Sequence, residues 1–192
     1  SKRAYLYETL DEENKAFLDY SKAIELEPEN AENWYDRGDF HSNYFHDKEA
    51  LNDLEEALKI NPSYVDAINT IGIIYEDQGK LELAIKTYEK GIALEKINPT
   101  AAAYCYSNRA PIYETQEKFE LALADYSKAI ALDPENPLWY SLRANLYVTQ
   151  DEENKALIDY SKAIEKDPNN EENWYNRGVF HYNHFQYKEA LD

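Results

Sequence analysis

Residues Asn33 to Pro62 read NWYDRGDFHSNYFHDKEALNDLEEALKINP, and the reading of this stretch decides the fold. Trp34, the Arg37-Gly38 pair, His41, Ala50, Leu54, Ala57 and Pro62 are spaced as two helices joined by a turn, a unit of about 34 residues. Each residue type has a steric job. The aromatic anchors the first helix, and the small residue lets the second approach. Ala50 and Ala57 keep the second helix thin where it packs, and proline stops it.

The same spine recurs through the chain. Around the small residue stand Arg3-Ala4, Ile71-Gly72, Arg109-Ala110, Arg143-Ala144 and Arg177-Gly178. Second helices carry Ala16/Tyr20/Ala23/Pro28, Ala84/Tyr88/Gly91, Ala122/Tyr126/Ala129/Pro134 and Ala156/Tyr160/Ala163/Pro168. On these residues the chain resembles the tetratricopeptide repeat (TPR) family over essentially its whole length. Arg in place of the usual Leu, and His41 and His181 in place of the usual Tyr, depart from the family pattern. The resemblance implies an all-α, right-handed α-α superhelix of antiparallel helix pairs, a TPR solenoid.

The units read as 1–30 (partial), 31–64, 65–102 with an insertion, 103–136, 137–170 and 171–192 (partial), one array and a fragment of a longer repeat protein. Asp11 is expected to N-cap the second helix of the first unit. In the third unit proline arrives late, at Pro99, which predicts about one additional helical turn. Pro111 falls inside a first helix and predicts a kink near Ser107–Pro111. Residues Arg3–Asn52 also match Arg143–Asp192 at an offset of 140, with roughly two-thirds of positions identical, which points to a duplicated four-repeat block. Neither end carries a polar capping helix, so Trp174, Phe180 and Phe185 are expected to be partly uncovered, open to self-association through the C-terminal repeat end.

The net charge of −18 argues against binding a phosphate backbone, whose affinity comes from Lys and Arg, so no nucleic-acid partner is expected. Two readings of the acid stay open: it steers a basic partner, or it keeps a helical rod soluble. No apolar run approaches the ~20 residues of a membrane helix, so no membrane partner is expected. The single Cys105 cannot form an intrachain disulfide, which suits a reducing cytoplasm without requiring one.

One pairing follows from the repeats themselves. Arg3, Arg37, Arg109 and Arg143 precede the small residue, and Asp19, Asp53, Asp125 and Asp159 stand in the matching second helices. The third unit lacks both, with Ile71 and Thr87 instead. Joint presence and joint absence predict that Arg and Asp meet across the two helices of one unit, where the guanidinium fork suits a carboxylate.

No glycine-rich phosphate loop, metal-type Cys pair or nucleophile elbow is present, and neither catalysis nor a cofactor is expected. His181 and His184 share a helix face, whereas His41 and His46, five apart, do not. Both His41 and His181 stand where sister units place Tyr7, Tyr75, Tyr113 and Tyr147, which favours a packing role over metal ligation. Tyr20, Tyr88, Tyr126 and Tyr160 are expected in the core with hydroxyls reaching an edge. No carboxylate stands out as one whose pKa burial would shift.

What the family resemblance implies for function is a concave groove lined by first helices that holds an extended or helical peptide. Mapped here, it is Tyr35, Asp36, Asp39 and Asn43, then Asn69 and Ile73, then Asn108, Leu142 and Asn145, and finally Tyr175, Asn176 and Val179. Asparagines recur through it, and their carboxamides can pair with a peptide backbone or simply be tolerated there. Asp36, Asp39, Asp66 and Glu76 make its early part acidic, while Leu142, Val148, Tyr175, Val179 and Tyr182 make the later part apolar. The expected partner is a protein or peptide with basic residues at one end and apolar anchors at the other. TPR domains that grip acidic chaperone tails present Lys and Arg in this groove; Tyr35, Asp39, Thr70, Asp66 and Asn108 supply none. An alternative is a structural, self-assembling module.

Overall fold

The computed structural model describes residues 2–183. Among them eleven helices run in order: α1 (Lys2–Thr9), α2 (Glu13–Leu26), α3 (Ala31–Asn43), α4 (Asp47–Ile60), α5 (Val65–Asp77), α6 (Leu81–Ile92), α7 (Pro99–Thr115), α8 (Phe119–Leu132), α9 (Pro137–Thr149), α10 (Glu153–Lys166) and α11 (Glu171–Asn183). No strand occurs among the described residues. The chain divides into two compact units, Ser1–Ala101 and Ala102–Asp192, with the boundary in the first turn of α7.

Why the pairs close is visible at the small residue. A Cβ added to Gly38 would sit 2.8 Å from Leu54 Cγ, and one added to Gly72 only 2.3 Å from Tyr88 Cε1. The sister alanines Ala4, Ala110 and Ala144 are fully buried, as are Ala16, Ala50, Ala84, Ala122 and Ala156 on the second helices. Thin faces meet, and within each unit one pair also leans on the next. Phe40 of α3 joins Ala4, Ala16 and Tyr20, and Leu146 of α9 joins Ala110, Ala122 and Tyr126. Each unit is built of successive local cores, as expected for stacked helix pairs.

The four predicted Arg–Asp pairs all form, each a two-pronged bond within its own unit. Arg37 donates from Nε and Nη2 to Asp53 at 2.6 and 2.8 Å. Arg143 does so to Asp159 at 2.7 and 2.9 Å, Arg109 to Asp125 at 2.8 Å twice, and Arg3 to Asp19 at 2.5 and 2.6 Å. Ile71 and Thr87 are both buried in the unit without the pair. The remaining Nη1 reaches back one unit, from Arg37 to Ser21 at 3.2 Å and from Arg143 to Ser127 at 2.9 Å. One guanidinium therefore ties its own hairpin and the preceding one.

Several expectations at helix ends are corrected. Asp11 is no N-cap: α2 starts at Glu13 after Glu12, and Asp11 lies in the left-handed region at φ 57°. That slot is left-handed in every described hairpin turn, at Phe45, Gly79, Glu117 and Asp151 as well. The N–H of the following residue returns to the carbonyl at the aromatic slot, Glu12 to Tyr7 at 2.9 Å, His46 to His41 at 2.8 Å and Lys80 to Tyr75 at 2.8 Å. These paired bonds satisfy carbonyls that a helix end leaves open.

The insertion does not lengthen α6. That helix ends at Ile92, residues 93–97 form successive turns, and Leu94, Glu95 and Ile97 each donate to a carbonyl three residues back. Pro99 is the first residue of α7, where a missing N–H costs nothing, and the Asn98 side chain accepts from Ala101 N at 3.1 Å. Pro111 lies inside α7, which continues to Thr115, so the proline does not end the helix.

Candidate functional site

In the first unit a groove of about 620 Å³ opens beside α1, α2 and α3, bordered by Lys2, Tyr5, Leu6, Tyr20, Glu32, Asn33 and Asp36. Tyr5 and Leu6 are 62% and 59% exposed, large apolar surface left to solvent by the stacking of first helices. Tyr20 is part of the core, and its hydroxyl donates to Glu8 Oε2 at 2.9 Å. The expected edge contact recurs: Tyr88 donates to Glu76 at 3.0 Å, Tyr126 to Glu114 at 2.6 Å and Tyr160 to Asn145 at 2.6 Å.

Asp39 is the centre of charge in this region. It is half-buried, within hydrogen-bond reach of Thr70 and Asn43, and burial followed by the negative Glu8 and Asp36 pushes its carboxyl above the ordinary range. Asn43 in turn donates to Glu8 Oε1 at 3.1 Å, so α1, α3 and α5 are joined by one polar chain. Tyr35 stacks on Tyr64 at 5.0 Å, and burial with Asp39 and Asp66 holds its phenol protonated. Asn69 and Ile73 are half-buried on α5. Glu76 is pushed up by burial, against the Tyr88 hydrogen bond. Carboxylates raised by burial, absent from the sequence expectation, thus lie at Asp39 and Glu76, and at Asp125 against its bond to Arg109; neighbouring helices, not local sequence, bury them.

In the second unit Asn108 is half-buried, and Leu142 packs on the core around Ala110 and Leu146. Asn145 is exposed, but its carboxamide oxygen is taken by Tyr160. Tyr175 is 70% exposed beside Glu171 and Glu172, around a surface cavity of about 530 Å³. Asn176 is half-buried and Val179 lies at the edge of solvent. Trp174 is uncovered at 45%, whereas Phe180 is buried against Ala144, Ala156 and Tyr160, contrary to expectation. Phe185 and His184 lie outside the described residues.

The duplicated block sharpens the contrast. At an offset of 140, the Arg–Asp pair, the tyrosine and the alanines of α1 and α2 are unchanged, while Tyr5, Glu8, Asp36 and Asp39 become Asn145, Val148, Asn176 and Val179, and Ala31 becomes Glu171. Three acids are replaced by neutral residues on helices that keep most of their packing residues, Ala4, Trp34, Gly38 and Phe40 recurring as Ala144, Trp174, Gly178 and Phe180. The sequence signal was present but is legible only once the shared face is known.

His41 and His46 were not expected to meet, yet their ring centroids are 5.8 Å apart because the left-handed turn at Phe45 folds the chain back. No group of three or more His, Cys, Asp or Glu suited to a metal ion occurs among the described residues. No helix among them is long and apolar enough to cross a membrane. The aromatic anchors and prolines carry one role the sequence reading missed. Trp34 Nε1 donates to Pro28 O at 2.8 Å, Tyr140 Oη to Pro134 O at 3.1 Å and Trp174 Nε1 to Pro168 O at 2.9 Å.

Tetratricopeptide repeat models match residues 2–30, 31–64 and 65–98 and again 160–192, and a TPR repeat model matches 111–151. The chain belongs to the tetratricopeptide repeat family. Its fold is the all-α helical-repeat superhelix of that family. Among curated relatives, 83 residues are 35% identical to small glutamine-rich tetratricopeptide repeat-containing protein 2 of Saccharomyces cerevisiae, covering 43% of this chain and 24% of that protein. Heat shock protein STI1 of the same yeast is 34% identical over 98 residues, 46% of this chain and 17% of that one. The chain thus spans a quarter or less of the length of these two relatives. Pseudomonas aeruginosa PilF has a similar structure at TM-score 0.80 and 16% identity, covering 98% of this chain and 84% of the other. A thermophilic TPR protein of Thermus thermophilus follows at 0.73 and 20%, covering 93% and 95%. At such identities the likeness is one of fold. Relatives of this kind make the TPR array a protein-interaction scaffold in general terms.

Proposed function

We propose that the chain is a non-enzymatic scaffold that holds a peptide segment on the exposed faces of its first helices, its basic part lying in the first unit. The observation that carries this reading is the divergence at the duplicated positions: packing residues repeat, while Glu8, Asp36 and Asp39 give way to Val148, Asn176 and Val179. A peptide cation entering the groove beside Lys2, Tyr5 and Asp36 would find acid around Asp39 and aromatic faces for its alkyl stem. Tyr35, Asn43, Asn69 and Ile73 are proposed to contribute along the same face of the first unit, and Asn108 on a first helix of the second. Exposed Tyr175 and Val179 offer apolar anchorage in the second unit, with Leu142, Asn145 and Asn176 beside them. Chaperone-type acidic tails are not the proposed ligand, because the slots that would clamp a carboxylate hold Tyr35, Asp39, Thr70, Asp66 and Asn108, none of them cationic.

A peptide array probed with the wild-type chain and with Glu32→Lys/Asp36→Lys tests this. Loss of Lys- and Arg-containing hits in the variant supports it; an unchanged set of hits refutes it. The alternative, a self-assembling module, draws on the exposure of Trp174 and Tyr182. Light scattering that shows a concentration-dependent mass, abolished by Trp174→Glu, would favour assembly over peptide capture.

A further inference from the structure

Residue 41 occupies the slot that holds tyrosine in four sister units, and residue 46 the slot of Lys80 and Lys118. Those lysines lie over Tyr75 and Tyr113 at 5.7 and 6.0 Å, permanent cations on neutral rings. In the second helix pair both members are imidazoles. His41 is 8% exposed, with Phe17 at 5.7 Å and Phe40 at 5.6 Å between ring centroids. Its Nδ1 is buried and has no hydrogen-bond partner. Its Nε2 lies 3.9 Å from Asp53 Oδ2, beyond a hydrogen bond, and both oxygens of Asp53 are already taken by Arg37. Cavities of about 210 and 300 Å³ adjoin the ring, each bordered by Phe17.

We propose that His41 is an acid-operated release in the α2–α3–α4 packing: neutral it completes the aromatic cluster, and protonated it has no acid of its own and forces Phe17 and α2 apart from it. The groups that face it are Glu13 from α2, Arg37 from α3, His46 from the turn, and Glu49 and Asp53 from α4. Burial is the largest influence and disfavours the charged ring, Arg37 and His46 add to that, and Asp53 and Glu49 oppose it, with a net downward shift. The sign follows. The unfolded chain takes up the proton first, so stability is lost as pH falls below about 6.5, the ordinary histidine value, and the loss is complete below the folded-state value. Helix α3 also carries Tyr35, Asp36 and Asp39, so acid would loosen the proposed groove; that consequence alone rests on the peptide-binding reading, and the release itself does not.

The test is urea unfolding of the whole chain at about pH 7.5 and about pH 5.5, on either side of the ordinary histidine range, for wild type and His41→Tyr, with an NMR titration of the histidine rings. His41→Tyr restores the sister residue and keeps the aromatic cluster. The wild type should lose more of its urea midpoint on acidification than His41→Tyr, and the His41 ring should titrate below free histidine. Equal losses, or a His41 ring that titrates at or above the free value, would overturn the proposal. Changes at Asp39 and Glu76 are common to both proteins and cancel in the difference.

Discussion

At the scale of single residues, the Arg–Asp pairs show how burial, not geometry, sets the worth of an ion pair. Arg37–Asp53 and Arg3–Asp19 have the same fork, but the side chains are 19% and 7% exposed in the first and 73% and 14% in the second. Removing Asp53 strands a shielded guanidinium, and Asp53→Ala should cost on the order of 3–5 kcal/mol in urea unfolding. Asp19→Ala should cost far less, because solvent takes over the Arg3 charge. Asp39 behaves in the opposite sense. Its folded-state carboxyl is raised by burial, Glu8 and Asp36, so its charge works against folding at neutral pH. Asp39→Asn should therefore raise stability near neutral pH, with the gain shrinking as acid protonates the wild-type carboxyl. The Arg–Asp pairing was legible in the sequence because the third unit lost both partners together. Asp39 was not legible, because Thr70 and Glu8, which surround it, come from helices 31 residues away in each direction.

At the scale of elements, helix existence followed from the spacing of Trp34, Gly38, Ala50 and Ala57, while helix ends did not. The hairpin turn requires a left-handed residue, and only Gly79 announces it; Asp11, Phe45, Glu117 and Asp151 adopt it under the pull of the carbonyl bonds behind them. Phe45 is 85% exposed and contributes little burial, so Phe45→Gly should stabilise the chain by roughly 0.5–1 kcal/mol, read from the urea midpoint. Gly72 presents the reverse case. Alanine there gains about 1 kcal/mol of helix propensity but drives a methyl into the Tyr88 ring, for a net loss of about 1–2 kcal/mol in the same measurement. Pro99 misled the sequence reading because a proline that opens a helix and one that follows a helix look alike in a linear pattern. The Asn98 side chain, which caps α7, was the distinguishing sign.

At the scale of the molecule, repetition made the fold legible: a unit that cannot bury its own apolar face must stack on its neighbours. The face that repetition leaves free was only partly legible. Asparagines recur there, yet Asn145 spends its oxygen on Tyr160 and Asn43 reaches Glu8, so side chains counted as ligands are in part structural. What distinguishes that face is charge that changes where packing does not. With a net charge of −18, association with a basic peptide should weaken steeply with salt, whereas urea stability, carried by burial, should change little. Hydrogen exchange on the chain, free and saturated with a basic peptide selected from a random library, tests the central claim most directly. Peptide-dependent protection on the first helices, strongest in α1 and α3 around Tyr5 and Asp36, is the predicted result; protection confined to the second helices, around Leu18 or Leu83, would contradict it.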